Sequence, residues 1–171
     1  MNEDIFDSNE DTFNETKERP DFLTVLIILT WIAVAGSVLS SAYSIANSGS
    51  AAEQMELSMV AFDEFPDDNE FVNSYIEDTK EFSKAAVNQL VPINLTNLIF
   101  YLIEGFAALL MFNLKKIGFW VYILCQFGFL SVYFIFYPSD NIMTTIMLSI
   151  GIITSSIFSI LYGVNAKYLK N

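Results

Sequence analysis

The chain has 171 residues, 53% of them apolar, 15% aromatic and only 16% charged, and its mean hydropathy is +0.43. Twenty acidic residues against eight Lys and Arg give a net charge of -12, which leaves no continuous basic patch to neutralise a phosphate backbone and argues against nucleic acid as a partner. With no histidine and one cysteine, a thiolate or imidazole zinc site, an intrachain disulfide, a Ser-His-Asp triad and a Cys-His dyad all lack their parts. What survives is a small integral membrane protein that is not an enzyme and needs no cofactor.

Residues 1–20 carry seven acids and two bases with few apolar groups to bury, so they read as an acidic, disordered cytoplasmic tail. Four stretches then reach the length of about 20 apolar residues that a helix needs to cross a bilayer. They are residues 21–47, 91–114, 117–137 and 141–164. Past Asp21 the first holds no Asp, Glu, Lys or Arg, the second holds only Glu104, and the other two hold none. Each must be helical, because in lipid the backbone has to satisfy its own hydrogen bonds and an isolated strand cannot. The first could be a cleaved signal peptide, with Ser40, Ser41, Ala42 and Ser44 as small residues near a cleavage site. Its acidic 20-residue approach and its long apolar run favour an uncleaved anchor.

Between the first two spans, residues 48–90 hold ten acids but only Lys80 and Lys84. Phe71, Tyr75, Phe82, Ala86 and Leu90 recur there at helical spacing, with Val72 and Ile76 beside them. Asp67 followed by Glu70 resembles a capping box, with Pro66 just ahead, so a helix is expected from about Asp68 with Phe71, Tyr75 and Phe82 on its buried face. A shorter helix is expected over roughly residues 52–62. The acidic cluster Asp63, Glu64, Asp67, Asp68 and Glu70 lacks the alternating ligands and central glycine of an EF-hand loop, so it reads as a solvated cap.

Orientation follows from lysine and arginine at the span ends. Lys17 and Arg19, Lys115 and Lys116, and Lys167 and Lys170 all fall on one side if both termini are cytoplasmic, with residues 165–171 as a second cytoplasmic tail. The expected fold is therefore all-α: a polytopic membrane protein with four transmembrane helices and an amphipathic, helical, extracytoplasmic segment between the first two.

Three pieces carry a resemblance: Arg19-Pro20-Asp21-Phe22-Leu23 at the first membrane boundary, Leu114-Lys115-Lys116-Ile117-Gly118-Phe119-Trp120 at the hairpin, and Leu161-Tyr162-Gly163-Val164-Asn165-Ala166-Lys167 at the end. Together they are similar to a group of small four-span inner-membrane proteins of Bacteroidota. The resemblance implies a bacterial inner membrane and no particular activity. Read physically, Lys115 and Lys116 fix a hairpin edge, and Trp120 and Tyr122 are expected as interfacial anchors at headgroup depth.

Glu104 lies about ten residues, or roughly 15 Å, from the cytoplasmic end of its span. Similar depth in the other spans gives Thr30, Gln126 and Thr154, an intramembrane polar layer in which Gln126 is the expected partner across the short hairpin. A carboxylate in hydrocarbon costs several kcal/mol and no span supplies a cation, so a neutral acid donating a hydrogen bond is expected. One reading makes Glu104 a proton or cation site; the other makes it a structural residue holding the bundle through Gln126 or Thr154. Cys125 reads as a small core residue. Small residues form two ridges at four-residue spacing, Gly36, Ser40, Ser44 and Ser48 in the first span and Gly151, Ser155, Ser159 and Gly163 in the fourth. Such ridges let helices approach closely, inside the bundle or against a second copy or another membrane subunit. The functional expectation is an accessory or assembly component of an inner-membrane complex, and the alternative is a small oligomeric transporter or channel using Glu104.

Overall fold

The computed structural model describes residues 19–61 and 69–170. The helices are α1 (Asp21–Ala46), α2 (Ser48–Ala61), α3 (Glu70–Asn88), α4 (Leu90–Phe112), α5 (Lys116–Phe136) and α6 (Ile142–Asn165), with a 3-10 turn at Ala166–Tyr168. Among the described residues there is no strand, and one isolated parallel bridge joins Lys115 to Lys170. α1, α4, α5 and α6 are long and apolar enough to cross a membrane, so the chain is an all-α, multi-pass membrane protein. Their outer faces carry exposed apolar side chains such as Leu39, Leu124 and Phe134, each about 70% exposed, as a surface solvated by lipid requires. Residues 1–18 of the acidic tail lie outside the described residues, as do Asp63, Glu64, Asp67 and Asp68 of the acidic cluster.

The helix boundaries follow local chemistry. α1 starts directly after Pro20, whose extended ψ of 138° keeps it out of the helix while its carbonyl accepts from the Thr24 amide. Pro92 is tolerated because it sits in the first turn of α4, where backbone N–H groups have no helical partner to lose. α3 begins two residues later than the sequence suggests: its cap is Asn69, whose side chain accepts from the Phe71 amide at 3.0 Å. The expected cap, Asp67, falls among the residues not described. α4 ends in a Schellman turn, with the Lys115 amide on the Leu110 carbonyl and the Leu114 amide on the Met111 carbonyl. Leu114 takes the left-handed position at φ 58°, where glycine is usual, and its side chain packs against the core.

That core lies at the end of the bundle bearing Arg19, Lys115, Lys116, Lys167 and Lys170. Leu23, Leu26 and Ile27 of α1, Ala107, Ala108 and Met111 of α4, Tyr122 of α5, Tyr162 of α6 and Leu169 beyond it are buried there together. Arg19 donates to the Phe112 carbonyl at 2.9 Å and lies over the Phe112 ring at 3.8 Å, so a cation closes the carbonyl end of α4. The C-terminal segment straps across the α4–α5 link: the Lys116 amide donates to the Lys170 carbonyl at 2.8 Å and the Lys170 amide to the Leu114 carbonyl at 2.6 Å. The three sequence pieces singled out for their resemblance thus meet in one place.

Tyr122 corrects an expectation. It is 2% exposed and packs against Tyr162 with ring centroids 4.8 Å apart, so it is a core residue and not an interfacial anchor. Two residues on a helix are separated by about 200°, so Tyr122 faces inward while Trp120 stays exposed on the lipid side.

At the opposite end α3 docks on the start of α6. Asn141 caps α6 by accepting from the Met143 and Thr144 amides, and its side-chain amide donates to the Asp78 carbonyl at 2.7 Å and to Glu81 Oε2 at 3.1 Å. Asp78 Oδ2 in turn accepts from the Ile142 amide, placing two acids at the positive end of α6. Phe82 stacks on Tyr137 at 4.4 Å. This docking sets the rotation of α3, and it turns Phe71 and Tyr75 outward: both are exposed, contrary to the face drawn from spacing. The side that is half-buried runs through Val72, Ile76, Phe82 and Ala86.

Two glycines show where backbones approach. A Cβ on Gly118 would stand 2.7 Å from the Ala107 carbonyl oxygen and 2.8 Å from the Met111 nitrogen, whereas one on Gly36 would meet nothing within 4 Å. Gly118→Ala should therefore force the α4–α5 hairpin apart and lower stability by about 1–3 kcal/mol, while Gly36→Ala should be neutral or slightly stabilising. In the same thermal-unfolding series in mild detergent, Phe82→Ser should lower the midpoint clearly more than Tyr75→Ser.

Candidate functional site

Two ties between side chains cross the bundle among the described residues, beside the Trp31 indole of α1, which donates to the Gly105 carbonyl of α4 at 3.4 Å. In the first, Gln126 of α5 donates from Nε2 to Glu104 Oε1 of α4 at 3.1 Å, and Ser155 of α6 donates to Gln126 Oε1 at 2.8 Å. Three helices are joined by one side-chain chain. In the second, the Thr30 hydroxyl of α1 and the Tyr162 hydroxyl of α6 share a 2.6 Å hydrogen bond, buried in the core. The expected layer of Glu104, Gln126, Thr154 and Thr30 is thus divided. Glu104 and Gln126 bond directly, Thr30 pairs with Tyr162, and the α6 contribution comes from Ser155, with Thr154 exposed beside it.

Along this chain Ser155 donates to the Gln126 amide oxygen, and the Gln126 amide nitrogen donates to Glu104 Oε1, so both ends of the Gln126 amide are engaged.

Glu104, Gln126 and Thr154 lie on the walls of two cavities. The larger, about 380 Å³, runs between α4, α5 and α6. Its α4 wall is Ile93, Asn97, Tyr101 and Glu104, one helical face, spanning about 16 Å from Glu104 toward the α3 end. Its α5 wall includes Phe129, Tyr133 and Tyr137. The smaller, about 190 Å³, adds Thr30 and Ala33 of α1, Tyr122 and Phe158. Beyond it the core of Leu26, Ile27, Met111 and Tyr162 closes the way to the basic end.

The two small-residue ridges have different fates. On α6, a Cβ at Gly151 would lie 3.1 Å from the Leu130 side chain and one at Gly163 3.8 Å from the Phe119 ring, Ser155 bonds Gln126, and Ser159 is half-buried, so this ridge packs on α5. On α1, Gly36 and Ser40 are exposed and only Ser44 and Ser48 are half-buried. α1 packs instead through Leu23, Ile27, Thr30 and Val34, the last 3.2 Å from where a Gly105 Cβ would stand. Cys125 is buried, with its thiol 3.8 Å from the Phe100 carbonyl.

Sequence reasoning missed the Tyr101, Tyr133 and Tyr137 wall and the role of Ser155. The signal was present as helical spacing, since 97, 101 and 104 on α4 and 126, 133 and 137 on α5 each keep to one helix face.

A double-mutant cycle tests the first tie. Glu104→Leu and Gln126→Leu should each destabilise, with a coupling of about 0.6–2 kcal/mol. Glu104→Gln should fold close to wild type, because its amide oxygen still accepts from Gln126. Zero coupling would remove the bond as a structural element.

Comparison with protein-family models, with curated proteins and with solved structures finds no match to this chain. Its function is therefore to be reasoned from this geometry.

Proposed function

We propose that the chain is a non-enzymatic accessory or assembly component of a bacterial inner-membrane complex, with both termini and the α4–α5 link in the cytoplasm and α2 and α3 outside. The carrying observation is that the polar side chains at the depth of Glu104 hold helices to one another, Glu104 to Gln126 to Ser155 and Thr30 to Tyr162. The bundle also leaves Gly36 and Ser40 uncovered on α1, where small side chains let a helix of another subunit or a second copy approach closely. The orientation is supported by Arg19, Lys115, Lys116, Lys167 and Lys170 gathering at one end.

A second reading, a small oligomeric transporter or channel, is favoured by one observation: Glu104 faces both cavities. Transport needs a change of charge state that an amide cannot make. A folded Glu104→Gln variant that abolishes a cellular phenotype would favour transport, and one that retains it would favour the structural role.

The structural reading is tested by affinity purification in mild detergent, where defined membrane subunits or a second copy should co-purify and be lost when Gly36 and Ser40 are replaced by leucine. A protein that purifies only as a monomer would overturn it. For orientation, Cys125 is removed and single cysteines are placed at Ser58, Asn113 or Asn171. An impermeant thiol reagent should label only Ser58→Cys in intact spheroplasts.

A further inference from the structure

The larger cavity combines three features. Its lining includes one acid, Glu104, and no lysine or arginine. Its walls combine aliphatic side chains such as Leu130 and Ile150 with aromatic ones from two helices: Tyr101 of α4 lies against Phe129 of α5 with centroids 4.8 Å apart, and Tyr133 stacks with Tyr137 at 5.6 Å. The volume, about 380 Å³, falls within the range of pockets that enclose small organic ligands.

Each feature selects for the same ligand chemistry. Aromatic faces carry negative potential and attract cations, most strongly where water is excluded. A carboxyl group at the inner end adds the one lining group able to supply a full negative charge, and among the described residues the Gln126 amide engages one of its oxygens. An anion would meet the same groups as repulsion, with no base to offset it. An inorganic cation would need several charged oxygen ligands converging at short range, and among the described residues no cluster of three or more acids, cysteines or histidines that could hold one is found. The remaining match is a cation whose charge is spread over or shielded by hydrocarbon.

We propose that the cavity between α4, α5 and α6 is a binding site for a lipophilic organic cation, with the aromatic walls enclosing its apolar body and Glu104 meeting its charge. The Glu104–Gln126–Ser155 tie positions the carboxyl at the inner end of the cavity, and the 16 Å run of α4 toward Ile93 gives the body its length. The inference rests on the cavity and not on transport, so a saturable site in a protein that moves no ions would leave it standing.

Tetraphenylphosphonium and tetraphenylborate test it, being nearly the same shape with opposite charge. Full-length protein in lipid nanodiscs should bind tetraphenylphosphonium saturably, at about one per chain, and tetraphenylborate only by partition. Glu104→Gln should weaken the cation by about tenfold or more, and Tyr133→Leu should weaken it several-fold while Tyr133→Phe keeps it. Ser159→Ala, which lies on α6 outside the cavity lining, should retain binding and report on folding together with an unchanged unfolding midpoint for Glu104→Gln. Equal binding of both ions, or cation binding indifferent to Glu104→Gln, would overturn the proposal and leave an apolar cavity only. Absence of any saturable tetraphenylphosphonium binding to folded wild-type protein would overturn it as well.

Discussion

Hydrocarbon offers no hydrogen-bond partner, and every feature of this bundle answers to that constraint. It makes the four spans helical, because only a helix pairs its own backbone groups. It then favours polar side chains that bond back to their own helix, as Ser131 and Ser149 do, or that find one another across helices. Glu104, Gln126 and Ser155 do so in a chain through α4, α5 and α6, and Thr30 with Tyr162 ties α1 to α6. Neither tie is the main source of packing. Lipid removes the hydrophobic drive between helices, so close approach has to supply contact energy. Gly118 against α4 provides the tightest approach to a neighbouring helix backbone among the described glycines, and Gly128 lies as closely under the Phe100 ring.

The two ends of the bundle are built differently. At the basic end, packing and strapping coincide: Arg19 on the last carbonyl of α4, the C-terminal segment bridged to Lys116 and Leu114, and a buried core beneath them. At the other end Asn141, Asp78 and Glu81 join α3 to the first turn of α6 through polar contacts, beside the Phe82–Tyr137 stack. Acids there meet the positive end of a helix, and Arg19 meets the negative end of one, so charge placement at both ends follows the helix dipole. The bundle is closed toward the basic end and hollow toward α3.

Much of this was legible in one dimension. The span boundaries could be read because charge is excluded from hydrocarbon, and the Glu104–Gln126 pairing because antiparallel neighbours joined by a short link keep equal depth. Reading failed where rotation about a helix axis decides. Tyr122 was assigned to the membrane interface from its nearness to Trp120, yet it lies on the opposite side of α5. Phe71 and Tyr75 were assigned to a buried face, but the contacts of Asp78 and Phe82 turn α3 so that they point outward. Gly36 and Ser40 looked like a packing ridge, and α1 presents a different face to its neighbours.

The sequence by itself determined the number of spans, their helical state, the segregation of basic residues to one set of ends and the single acid at depth. Those follow from composition and length against a fixed bilayer thickness, which are properties of each segment alone. Only the tertiary structure decided which residue of α6 completes the polar chain, which ridge is covered, and that tyrosines from α4 and α5 enclose a cavity above Glu104. Hydropathy constrains a helix along its axis and leaves its rotation free when the apolar surface is nearly uniform around it. Rotation is then fixed by a few specific contacts between helices, and those exist only once the helices are assembled.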